Sequence, residues 1–150
     1  MKKLLFLGLG ISLFAAANNI DSILPKNFGE CIQLGYFDIK NRPVPLKDYL
    51  LVVKKYDCNN KIIYIGIEDR IPGILKIKID KETKDFLIKH CKIQGFDAAV
   101  YVDKGVKKGV LAIKLNDKYA LKVMFDGTDY KSVVKIIEQL DLNKIKEKLS

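Results

Sequence analysis

Tryptophan is absent, histidine occurs once and arginine twice among the 150 residues of this chain. The single histidine, His90, excludes a multi-histidine metal site and a two-histidine proton relay. Only Arg42 and Arg70 carry guanidinium groups, which argues against nucleic acid as a partner, because bidentate phosphate and guanine contacts favour arginine. Cysteine is also scarce. Cys31, Cys58 and Cys91 form no C-x-x-C pair, which excludes a thioredoxin-type redox site and a zinc ribbon, and no C-x-x-C-H is present for covalent haem. Beyond the first seventeen residues no apolar run approaches the ~20 residues that a membrane-spanning helix needs.

What is present begins with those seventeen residues. Lys2 and Lys3 form a short positive head, Leu4 to Phe14 is broken only by glycine and Ser12, and Ala15-Ala16-Ala17 has the small-residue spacing of a signal-peptidase site. The expectation is a signal peptide over 1–17 and a single exported domain over 18–150, periplasmic or secreted. No cysteine near Ala17 encodes a lipoprotein anchor. Apolar residues make up 49% and charged ones 30%, a globular balance with enough apolar side chains for one core.

The net charge of +9 comes almost wholly from lysine dispersed along the chain, with acidic residues between. Abundant lysine, isoleucine and asparagine suit an A/T-rich coding sequence. A solvated surface therefore explains the charge better than an anion-binding patch. A candidate contact with an anionic partner is Lys104, Lys107 and Lys108, in a loop around Gly105 and Gly109. That loop precedes no helix and is no phosphate cradle.

Strands are expected at Cys31–Ile39, Lys61–Glu68, Ile74–Ile79 and Asp97–Val102, and a hairpin at Val110–Leu115 with Tyr119–Phe125. Leu46, Tyr49, Leu50, Val53 and Tyr56 share one helical face, so 46–56 is read as a helix started by Pro45. The alternative is a strand over Tyr49–Tyr56, paired with Lys61–Ile67 through a turn at 57–60. Asp80 is expected to cap a helix over Lys81–Cys91. Thr128 or Asp129 caps a later helix carrying Tyr130, Val133, Val134, Ile137 and Leu140, with a tail helix over about 141–149. Together these give an α+β domain: a mixed, mainly antiparallel sheet of five or six strands, with two or three helices packed mostly on one face.

In an exported protein one cysteine pair is expected to oxidise. With 46–56 helical, Cys58 returns to the start of the Cys31 strand and the pair is Cys31–Cys58, leaving Cys91 free. With that segment as a strand, Cys58–Cys91 becomes the better pair.

Reactive chemistry is thin. His90 is read as a surface residue at a helix carboxyl end, with Cys91 turned about 100° away from it. Asp126-Gly127-Thr128-Asp129 lacks the ladder and terminal glutamate of a calcium loop. The sequence assigns no catalytic residue, cofactor or metal. The leading expectation is a small non-catalytic envelope protein that binds a protein partner or small ligand. One rival is a secreted hydrolase using Asp97 and Asp103 on an anionic substrate. Another is a basic adaptor making peripheral contact with anionic lipid or cell-wall polymer through the 104–108 loop and the lysines after Asn143.

Overall fold

A computed structural model describes residues 22–34 and 50–150. The expected signal peptide, Pro45 at the expected helix start, the far half of the Cys31–Ile39 strand and the start of the 46–56 segment lie outside the described residues.

Among the described residues nine strands form one sheet: β1 (Asn27–Phe28), β2 (Cys31–Gln33), β3 (Leu50–Cys58), β4 (Lys61–Glu68), β5 (Lys81–Glu82), β6 (Phe86–Ile93), β7 (Phe96–Asp103), β8 (Lys108–Lys114) and β9 (Ala120–Asp126). Their order is β1-β2-β3-β4-β9-β8-β7-β6-β5, with every neighbouring pair antiparallel. Short helices among the described residues include α1 (Gly73–Lys76), α2 (Tyr130–Ile137) and α3 (Leu142–Lys148). The protein is therefore mostly β. The expected α+β domain with five or six strands is corrected to one nine-stranded antiparallel sheet.

Two misread segments account for much of the difference. Residues 50–58 form β3, because Val52, Val53 and Tyr56 are extended against β4 and not wound into a helix. The alternation was disguised by an irregularity between Leu50 and Val52 and by Lys54, which points to the buried face and donates to the Leu24 carbonyl at 2.9 Å. Asn59 and Asn60 both have positive φ, the geometry of a two-residue hairpin turn that asparagine tolerates. The helix expected over Lys81–Cys91 is instead the β5–β6 hairpin. Thr83 Oγ1 accepts from the Asp85 and Phe86 amides and closes that turn, while Ile88 suits the extended chain. The expected Ile74–Ile79 strand is also absent: α1 and an irregular stretch take its place.

β4, β7 and the β8–β9 hairpin lie where the sequence placed them, and Asp129 caps α2 by accepting from the Ser132 amide. The core collects Ile63, Ile65 and Ile67 of β4 with Leu121, Val123 and Phe125 of β9. Leu111 and Ile113 of β8 and Val100 and Val102 of β7 extend it, and Val133, Ile137, Leu142 and Ile145 of the last two helices belong to the same cluster. Phe125 lies across Gly109, its register partner, where a Cβ would collide with the ring. Tyr56 adds a hydroxyl that donates to the Pro25 carbonyl at 2.6 Å, and burial pushes its ionisation far up.

The disulfide joins Cys31 to Cys58, with a Cα separation of 4.0 Å. It does so although 50–58 is a strand, the condition under which the sequence favours Cys58–Cys91. β2 adds to the edge of β3 in a register that sets Cys31 directly opposite Cys58. Cys91 stands on β6, five strands further across the sheet, about 24 Å away at ordinary strand spacing.

Candidate functional site: a groove on the outer face

Residues 69–80 leave β4 and reach β5 at the far edge, so this strap must cross β9, β8, β7 and β6. The side chains beneath it are small. Ala120, Ala112 and Ala99, from β9, β8 and β7, are buried under Leu75 of α1, with Ile71 and Ile74 packed against them. Alanine allows this approach because its methyl group barely rises above the sheet.

Beside that row lies a taller one. Met124, Val110, Tyr101 and Ile88 are successive register partners across β9, β8, β7 and β6, and all point to the same outer face. The strap leaves this row partly uncovered. Between the two runs a groove of about 430 Å³, walled by Pro72, Ile74, Ile77 and Ile79 of the strap and floored by Ile88, Tyr101 and Val110. Ile77 and Ile79 are 62% and 67% exposed, a poor place for isoleucine unless something covers it.

Polar groups stand at two ends. Lys122 reaches the groove and pairs with Glu68 at 3.0 Å. Glu68 is fully buried, and its Oε2 has no hydrogen-bond partner among the described residues. At the other end His90, on β6, holds the strap. Its Nδ1 lies 2.8 Å from Asp80 Oδ1 and its Nε2 lies 2.9 Å from the Ile74 carbonyl. Asp80, expected to cap a helix, accepts instead from the backbone amide of His90 on the open side of β6. These bonds hold the Asp80 carboxyl below its usual range. Burial works against charge on the His90 ring, but the Asp80 carboxylate and the Ile74 and Ile77 carbonyls outweigh it and raise the imidazole overall.

His90 and Cys91 alternate to opposite faces of β6, so they form no nucleophile pair. Burial pushes the Cys91 thiol up, and the Asp80 and Glu138 carboxylates push it further, away from a reactive thiolate. Asp97 and Asp103 sit at the two ends of β7, about 20 Å apart along an extended strand, well beyond the reach of a paired acid and base. Asp97 pairs with Lys92, and Asp103 accepts from the Gly105 and Val106 amides. Lys104 is committed to Glu82 and the Thr83 carbonyl, both at 2.8 Å, while Lys107 and Lys108 are exposed in the next turn and strand. Among the described residues, no group of three histidine, cysteine, aspartate or glutamate side chains stands close enough to hold a metal ion.

Sequence reading missed the groove, because its walls come from a crossover whose route no local pattern reveals. One signal was available: alanines inside two strands, Ala99 and Ala112, and at the start of a third, Ala120, which mark a close approach. Fold and groove together define a small disulfide-bonded β protein with an apolar cleft on its open face. No protein-family model, curated protein or solved structure matches the chain. Among the described residues no helix is long and apolar enough to cross a membrane.

Proposed function

We propose that this is an exported, non-catalytic binding protein whose outer groove takes a small apolar ligand. The observation that carries the reading is the cleft between the strap and the uncovered Val110–Tyr101–Ile88 row. Its volume of about 430 Å³ falls within the range of small-molecule sites. Its lining is nearly all aliphatic or aromatic, with Lys122 as the one charged member. The wide separation of Asp97 from Asp103 and the raised Cys91 thiol favour binding over hydrolysis. Export is supported by the charged, apolar and small-residue succession of 1–17, and by a disulfide compatible with an oxidising compartment.

The binding test uses N-phenyl-1-naphthylamine, a neutral apolar dye that fluoresces on leaving water. Saturable binding at one site is expected. Val110→Arg, which puts a charge on the groove floor without touching the core face, should weaken it by about tenfold or more. The thermal midpoint should hold. Absence of saturable binding, or unchanged binding by Val110→Arg, overturns the reading. For export, protein from an envelope fraction should begin at Asn18. An intact Met1 on a cytoplasmic product would sink it.

A further inference from the structure

The two neighbours of the His90 ring have one property in common: neither can donate a hydrogen bond. The Ile74 carbonyl is only an acceptor, and so is an ionised Asp80 carboxylate. A neutral imidazole carries a single N–H, so it satisfies one of these partners and turns a lone pair on the other. Only the doubly protonated ring donates to both. The residues it joins bracket the most exposed part of the groove wall, since Ile74 precedes Ile77 and Ile79 in the strap and Asp80 follows them. Beyond Leu75, which is buried on the alanine row, this stretch meets its next strand pairing at Lys81 opposite Ile88.

We propose that His90 is a proton-operated latch on the wall of the groove: protonated, it staples both Ile74 and Asp80 to β6, and on losing its proton it lets go of the Ile74 carbonyl while Asp80 stays on the His90 backbone amide, which loosens the wall and lets an apolar ligand leave. The ligand half of this inference rests on the binding function proposed above; the latch itself does not.

The charges around the ring fit that role. On the strap side stand Asp80, in direct contact, and Lys78. On β6, Lys89 lies 3.9 Å from the other Asp80 oxygen. Lys92 is engaged 3.6 Å away by Asp97 of β7, and the residue of β7 opposite His90 is the uncharged Ala99. Among the described residues, Asp80 is therefore the one carboxylate that touches the ring. The direction of the raised imidazole agrees. A group whose folded pKa is raised stabilises the fold fully below its ordinary value of about 6.5, and that contribution is lost as pH climbs through the raised value. The latch is thus closed in mild acid and opens toward alkaline pH.

His90 is the only histidine, so its ring reports alone in a long-range proton–nitrogen NMR titration of the full chain. Both ring nitrogens should carry protons at pH 6, and the ring should titrate above about 6.5. Amide exchange over residues 74–80, corrected for intrinsic rate, should rise about tenfold through the same titration. Dye affinity should fall by about tenfold over that range. Asp80→Asn should shift all three changes to lower pH, and His90→Gln should abolish both steps. A ring that titrates at or below its ordinary value with one bare nitrogen overturns the latch. So does strap exchange that stays flat while the ring titrates. Dye binding that is saturable but independent of pH overturns the ligand-release half and leaves the groove reading standing. An exchange step with no dye bound at any pH overturns the groove reading and keeps the latch.

Discussion

The two faces of the sheet are built from the same strands and the same alternation, yet they do opposite things. On the inner face β4 presents Ile63, Ile65 and Ile67, and β9 presents Leu121, Val123 and Phe125, all buried and closed over by α2 and α3. On the outer face the alternate positions are mixed: alanine where the strap crosses, Met124, Val110 and Tyr101 where it does not, and the Lys122–Glu68 pair beside them. A face filled with branched aliphatics leaves no space, because interiors pack to crystal-like density. A face with a step between small and large residues leaves a trough under anything laid across it. Stability and ligand capacity are thus divided between two surfaces of one sheet, and each can be altered with little effect on the other.

The largest expected effect tests that division. Ile65→Ala removes a fully buried side chain from the centre of the inner face and should cost about 4 kcal/mol in urea unfolding, as transfer and cavity terms add. Met124→Ala, on the outer face of β9, should cost less than about 1 kcal/mol. Comparable losses from the two would mean that the outer row is core, and the separation of roles would fail.

The edge of the inner face is held differently. Cys31 and Cys58 are both buried in the core cluster, and their bond closes a segment with a sequence separation of 27. Replacing both with alanine should cost about 3.5 kcal/mol in the chain-entropy treatment. Replacing exposed Cys91 with alanine should stay within about 0.5 kcal/mol. Denaturation midpoints of the two variants give the answer directly. A loss confined to β1 and β2 in hydrogen exchange, with the global midpoint unmoved, would show that this edge is an appendage and not part of the cooperative core.

Legibility in the sequence followed how local the signal was. β4 and the β8–β9 hairpin were readable because isoleucine-rich or alternating runs meet compact turns, and Asn116 closes one by accepting from the Lys118 and Tyr119 amides. The α2 cap was readable for the same reason: Asp129 acts within three residues. Residues 81–91 misled because Asp80 before a polar run with Phe86 and Leu87 imitates a helix start. Its real hydrogen bonds go ten residues away, to His90. Residues 50–58 misled because a lysine turned inward breaks the two-residue period. A helical 46–56 predicts the Cys31–Cys58 pairing for the wrong reason: residues 50–58 are a strand, and what sets the pair is the antiparallel register of β2 on β3. The groove and latch depend on where a crossover lies, which only the assembled sheet decides.

The smallest expected effect concerns how the inner face keeps its cover. Gln94 sits in the β6–β7 turn, where it and Gly95 both take positive φ. Its side-chain nitrogen donates to the Glu138 and Leu140 carbonyls at 3.0 and 2.6 Å, and its oxygen accepts from the Leu142 amide at 3.3 Å. One amide group therefore serves the end of α2 and the start of α3 at the corner between them, where backbone groups lack helical partners. Gln94→Ala should cost about 1 kcal/mol in urea unfolding, since part of the lost bonding is recovered from water at this exposed turn. Amide exchange should quicken in α3 while the strap over 74–80 and dye binding in the groove stay as in the unaltered protein. A change in the groove on loosening this corner would couple the two faces and break the division between them.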